Sequence, residues 1–132
     1  MTRHELLEER LTHTIIGAFF EVYNYFGFGL FEAVYVGALE RELRRRHLHL
    51  QREKWVQVSY KGEEVCLQRL DLIVEDRIIV EAKATESLPP IATRQLLNHL
   101  RASRLEVGLL LHFGPEPHFY RVMNTRDRVG RA

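Results

Sequence analysis

Apolar residues at Leu7, Leu11, Ile15, Ala18, Val22 and Phe26 recur every three or four positions, which is the spacing of one helix face and predicts a helix over residues 5–26. Gly27 and Gly29 then end it. A second stripe, Phe31, Val34, Tyr35, Ala38, Leu39 and Leu43, predicts a helix over residues 31–46. The period next falls to two: runs over residues 55–60, 65–74 and 78–82 predict strands, with Lys61-Gly62 as the first turn. After Pro90, residues 91–102 are helix formers with Leu96, Leu97 and Leu100 as their apolar positions. The continuous apolar run 107–113 predicts a central strand buried on both faces, and residues 119–123 an edge strand. Three strands in series followed by a helical crossover to a fourth predict an α/β fold of order ααβββαββ, a mixed sheet with helices packed against it. No repeat, low-complexity tract or linker interrupts the chain of 132 residues, so one domain over 1–132 is expected.

Composition narrows the function classes. Apolar residues at 45% and charged residues at 28% suit a folded soluble domain and are too hydrophobic for a disordered chain. Apolar stretches fall far short of the roughly 20 residues that cross a bilayer. The acidic start argues against a signal peptide, so a cytoplasmic protein without membrane partners is expected. A single cysteine, Cys66, excludes an internal disulfide and a Cys-rich zinc module.

The formal net charge is only +1, but its distribution is uneven. Residues 1–40 carry two basic and six acidic groups, residues 41–54 six basic and two acidic, and residues 84–132 seven arginines against four acids. The run Arg44, Arg45, Arg46 reads first as a solvated helix end that complements the C-terminal dipole and second as a contact for a phosphate backbone.

The chemistry concentrates in residues 69–83, RLDLIVEDRIIVEAK, two hydrophobic strands joined by a polar turn. Alternation puts Leu70, Leu72 and Val74 on one face and Arg69, Asp71 and Ile73 on the other; Ile78, Val80 and Ala82 face opposite to Ile79, Glu81 and Lys83. If both apolar faces lie on one side of the hairpin, its turn holds an odd number of residues. A turn of Glu75, Asp76 and Arg77 sets Asp71 opposite Glu81 and Arg69 opposite Lys83. Facing carboxylates repel and call for a cation between them, and Mg²⁺ favours such a pair with waters and substrate phosphate. Lys83 is placed to orient a water or neutralise a phosphoryl oxygen. A solvated salt-bridge face of Asp71, Glu81, Arg69 and Lys83 shows the same alternation.

Asp71, nine intervening residues and then Glu81-Ala82-Lys83 in adjacent strands resembles the PD-(D/E)XK nuclease signature, within a matching order of elements. Gly29-Leu-Phe-Glu32-Ala-Val-Tyr35 resembles the defining motif of the GxxExxY protein family, a group of that superfamily. The likeness runs roughly over residues 11–122, through Ala38-Leu39, Glu42-Leu43, Gln95-Leu-Leu-Asn98 and Gly108-Leu-Leu-Leu-His-Phe-Gly114.

The resemblance implies a restriction-endonuclease-like fold and a metal-dependent nuclease that hydrolyses nucleic-acid phosphodiester bonds, DNA favoured, with Mg²⁺ or Mn²⁺. Asp71, Glu81, the Ala82 carbonyl and Glu32 would then hold the metal, and Lys83 would be the catalytic lysine. Gln95 would lie near the metal and the backbone of the nucleic acid, with Arg44, Arg45, Arg46 and Arg69 as further contacts. On the helix Glu32 projects between Leu39 and Leu43, as does Glu42, which also suits a buried acid paired with an arginine. Tyr35 fits a core position with a tethered hydroxyl. His99 stands where related nucleases carry a tyrosine, and His112-Phe113-Gly114 replaces the usual Asn-Phe-Gly. His99 suits a phosphate contact, a proton shuttle, or a surface or supporting histidine. His47 and His49 make too weak a pair for a metal site. Duplex cutting on two strands would suit a two-fold homodimer. The alternative is a binding module on the same fold that holds nucleic acid or a protein without turnover.

Overall fold

A computed structural model of the chain describes residues 2–124, apart from the side chains of His4 and Leu7. The side chain of Leu7 in the first stripe, and Arg126, Arg128 and Arg131 of the basic C-terminal segment, therefore lie outside what is described. The elements follow the expected order: α1 (Arg3–Phe26), α2 (Glu32–Arg45), β1 (Leu50–Tyr60), β2 (Glu63–Val74), β3 (Ile78–Lys83), α3 (Ala92–Ser103), β4 (Val107–Phe113) and β5 (Pro117–Met123). Helix α1 begins before its apolar pattern because Thr2 caps it. The Thr2 hydroxyl accepts from the Glu5 N–H at 3.0 Å, and the Glu5 carboxylate accepts from the Thr2 N–H at 3.3 Å.

The five strands lie in chain order in one sheet; β3 and β4 are parallel and every other neighbouring pair is antiparallel. Helix α3 is the crossover that the parallel pair requires. One core joins α1 and α2 to the sheet through Ile15, Phe19, Leu39, Leu72, Val80 and Phe113. The other packs α3 on the opposite face through Leu96, Leu100, Ile73, Ile79 and Leu110. Gly108 lets α3 sit close, since a Cβ there would meet Leu96 at 2.9 Å. Lys61 (φ 50°) and Gly62 (φ 84°) turn the β1–β2 hairpin as expected. Among the described residues no helix is long and apolar enough to cross a membrane.

Three expectations need correction. The buried face of α2 is Tyr35, Val36, Leu39 and Leu43, whereas Phe31 is 86% and Val34 40% exposed. Phe31 has extended backbone at the N-cap, outside the helical phase, and the stripe rotates toward Val36. Strand β1 starts at Leu50, hidden in the sequence by the polar residues 51–54.

The third correction shapes the site. The β2–β3 register, Leu72↔Val80, Ile73↔Ile79 and Val74↔Ile78 around a turn of residues 75–77, is the expected one with an odd turn of three residues, but it does not extend to Asp71↔Glu81 or Arg69↔Lys83. Leu70, however, packs with Val56 and Ile73 under α3, while Leu72 and Val74 join the α1–α2 core. Glu53 lies between the pairs Arg52↔Leu72 and Lys54↔Leu70 with φ 56°, and this left-handed residue interrupts the alternation opposite Asp71. The β2–β3 ladder also stops at Leu72↔Val80, so the strands part where Asp71 and Glu81 follow.

Candidate active site

Asp71 fills the gap between the parting strands. Its carboxylate accepts from the Ala82 N–H at 3.0 Å, taking a donor that a longer ladder would have used. Burial raises the Asp71 pKa; the Ala82 N–H lowers it, the Glu81 charge raises it again, and Lys83 and Arg69 pull it down. The net shift is upward.

Glu32 approaches from the α1–α2 layer. The loop before it is tied by Tyr35, whose fully buried hydroxyl donates to the Gly27 carbonyl at 2.5 Å and accepts from the Leu30 N–H at 3.2 Å. The Tyr35 ring stacks on Phe113, with centroids 4.1 Å apart. This fixed loop sets Glu32 at the first position of α2, where its carboxylate accepts from the Ala84 N–H just beyond β3. Its pKa is raised, first by burial and then by Asp71 and Glu81, against the pull of Lys83 and the Ala84 N–H. Glu32, Asp71, Glu81 and Lys83 thus lie within one another's electrostatic reach.

Glu81 is buried, 5% exposed, and turns toward the other helical layer, where its Oε2 meets Nδ1 of His99 on α3. A carboxylate only accepts, so Nδ1 carries the proton. His112, also buried, donates from Nε2 to the Thr85 carbonyl at 2.8 Å and lies 3.2 Å from the Thr85 hydroxyl. The hydroxyl in turn donates to the Ser87 carbonyl at 2.7 Å. His112 therefore pins the segment that leaves β3 after Lys83; the only sign of it in the sequence was the replaced asparagine of the expected Asn-Phe-Gly.

The remaining candidates lie farther out. Gln95 is exposed in the first turn of α3, four residues before His99 and so on the same helix side. Arg69 is exposed, 4.0 Å from Glu53, and is felt electrostatically at Asp71. Arg44, Arg45 and Arg46 sit at the opposite end of α2 from Glu32, roughly 18 Å along the axis at about 1.5 Å per residue. Arg44 pairs with Glu40 at 3.3 Å and Arg46 with the half-buried Glu42 at 2.9 Å, while Arg45 is exposed. Glu42 is thus the structural acid of the helix. His47 and His49 are both exposed.

As a donor set, Glu32, Asp71, Glu81 and the Ala82 carbonyl fit a hard divalent cation, since all are oxygens and two of the acids are held above their ordinary pKa. Among the described residues, however, no three His, Cys, Asp or Glu side chains gather around one point. Each carboxylate instead leans on a protein donor: Glu32 on Ala84, Asp71 on Ala82 and Glu81 on His99.

No curated protein matches the chain. Among solved structures, the crystal structure of SSO0001 is similar with a TM-score of 0.58 and 23% identity. The match covers 70% of this chain and 49% of that one, so this chain spans about half of its length and the likeness is one of fold. The model of the PD-(D/E)XK nuclease superfamily matches residues 9–122, from α1 through β5, a span that includes Glu32, Asp71 and Glu81. The sheet flanked by helices, with its acids where β2 and β3 part, is therefore a restriction-endonuclease-like fold, and the chain belongs to the PD-(D/E)XK nuclease superfamily.

Proposed function

We propose that the protein is a nuclease of the GxxExxY group, one domain over residues 1–132, which hydrolyses nucleic-acid phosphodiester bonds, DNA favoured, with Mg²⁺ or Mn²⁺. The observation that supports this most is the parting of β2 and β3 at Asp71 and Glu81, with Glu32 and Lys83 brought to the same gap from either side. Asp71, Glu81, the Ala82 carbonyl and Glu32 would hold the ion. When bound, it supplies a more acidic water and offsets charge on a phosphoryl oxygen.

The residues of the chain do the rest. Lys83, which already lowers the proton affinity of both Glu32 and Asp71, supplies a fixed positive charge for an equatorial phosphoryl oxygen or a donor that orients the attacking water. The Ala82 and Ala84 N–H groups hold Asp71 and Glu32 in place. Arg69 and Gln95 would contact the nucleic-acid backbone, and Arg44, Arg45 and Arg46 would extend that footprint along α2.

A binding module without turnover remains the second reading, favoured by the lack, among the described residues, of three acid or histidine side chains gathered around one point. Single-turnover assays with Mn²⁺ on labelled single-stranded, duplex and branched DNA and on RNA separate the two. Lys83→Ala is expected to lose about 10²–10³ in rate while it keeps its metal and nucleic-acid affinity. No cleavage of any nucleic acid by the wild type would favour the binding module, and cleavage by Lys83→Ala as fast as by the wild type would overturn the catalytic role of Lys83.

A further inference from the structure

We infer that His99 is the positioning residue for Glu81: its Nδ1–H holds Oε2 from the α3 side, so that Oε1 is the oxygen presented to the ion. The inference rests on the metal site proposed above. Three observations carry it. Glu81 is buried, and the partner found for its carboxylate oxygen is the imidazole, which is itself mostly buried. Asp71 and Glu32 are each held by a backbone N–H, from Ala82 and Ala84, and these follow directly from the path of β3. Glu81 faces the other way, toward α3, and the donor that meets it there is a side chain.

The helix is also fixed firmly enough for the task. Leu96 and Leu100, fully buried on either side of His99 in the sequence, lock α3 against Ile73, Ile79 and Leu110, and Leu96 presses on Gly108. A ring carried by that helix has little freedom to move with respect to β3. A carboxylate bound through one oxygen to a fixed donor loses rotational freedom before a metal arrives, which lowers the cost of ligation. The same contact explains how a histidine serves at this position: what Glu81 needs is an N–H or O–H at the distance of Nδ1.

The test uses Mn²⁺ as the probe and does not depend on turnover. His99→Phe keeps a ring of similar size but removes the donor, and His99→Asn returns an amide N–H near the place of Nδ1. Calorimetric or electron-paramagnetic titration is expected to show Mn²⁺ bound about 10-fold more weakly by His99→Phe and within about threefold of wild type by His99→Asn. In a Glu81→Gln background His99→Phe should change nothing further, which a merely structural role would not predict. Far-UV circular dichroism establishes that each variant is folded. Equal Mn²⁺ affinity in His99→Phe and wild type overturns the positioning role and leaves the metal site standing. A nitrogen coupling to bound Mn²⁺ that disappears in His99→Phe also overturns it, because His99 would then be a ligand. Wild-type protein that binds no Mn²⁺ overturns the proposed site, and this inference with it.

Discussion

Helix α2 carries half-buried acids at both ends, and they behave in opposite ways. Near its C-terminus Glu40 is burdened by burial, yet hydrogen bonds and charge from Arg44 (3.3 Å) and Arg52 (3.1 Å) hold its carboxyl below the usual range. At its N-terminus Glu32 is burdened by burial too, but its neighbours include Asp71 and Glu81, and despite Lys83 its pKa rises. The helix dipole should have favoured Glu32, so the difference lies in the heavier burial of Glu32 and in the company each acid keeps, two arginines at Glu40 against one lysine and two acids at Glu32. An acid supplied with arginines completes a fold, whereas an acid set among acids lacks positive charge. That deficit is the electrostatic mark of the site.

The largest expected effect follows from filling the deficit. Saturating Mn²⁺, at about 100 times its Kd, should stabilise the wild type by about 2.7 kcal/mol. Glu40→Gln should retain this gain and Asp71→Asn should lose it. Thermal unfolding with and without Mn²⁺ checks both, and a gain that survives in Asp71→Asn breaks the contrast.

Next is the stability of the metal-free protein. Glu40→Gln leaves Arg52 half-buried without its carboxylate and should cost about 1 kcal/mol. Glu32→Gln removes an ill-placed charge and should stabilise at neutral pH, by less than about 1 kcal/mol because the group is partly screened by water. The two acids should also divide by pH. Glu40, with a lowered folded pKa, contributes stability that is present above its unfolded pKa and lost as pH falls through the folded one. Glu32 and Asp71, with raised folded pKa values, contribute stability that is full below their unfolded values and lost as pH rises through the folded ones. In urea unfolding against pH, the advantage of Glu32→Gln over wild type should therefore vanish in acid and that of wild type over Glu40→Gln should shrink there.

The smallest effect concerns the arginines. Because Arg44 and Arg46 already face acids on their own helix, Arg45→Gln should make the dependence of nucleic-acid affinity on salt shallower by roughly one unit of log–log slope. Arg44→Gln and Arg46→Gln should change it less.

The sequence made much of this legible because periodicity reports burial. The run 107–113 coincides with β4, and parity with a three-residue turn gives the register of Val74↔Ile78 to Leu72↔Val80, although the ladder stops before the expected pairs Asp71↔Glu81 and Arg69↔Lys83. Periodicity failed where one residue broke the rule it relies on. Glu53 takes a left-handed conformation with no glycine or asparagine to announce it, and on the strand opposite Leu70 packs under α3 while Leu72 packs under α1 and α2. The apolar stripe misplaces Phe31 because a helical phase does not run through an N-cap that is not helical, and Val34 because the buried face turns toward Val36. The grip of His99 on Glu81 joins residues on α3 and β3, and nothing within either element encodes it. The motif singled out Glu32 over Glu42, and the structure shows a physical difference between them: Glu42 has Arg46 at 2.9 Å, while Glu32 has other acids.

Calorimetric titration of Mn²⁺ into wild type, Asp71→Ala, Glu81→Ala and Glu40→Gln tests most directly whether the acids where β2 and β3 part are waiting for a cation. Wild type and Glu40→Gln are expected to bind alike and the other two to lose the site. Asp71→Ala and Glu81→Ala binding as tightly as wild type would contradict it.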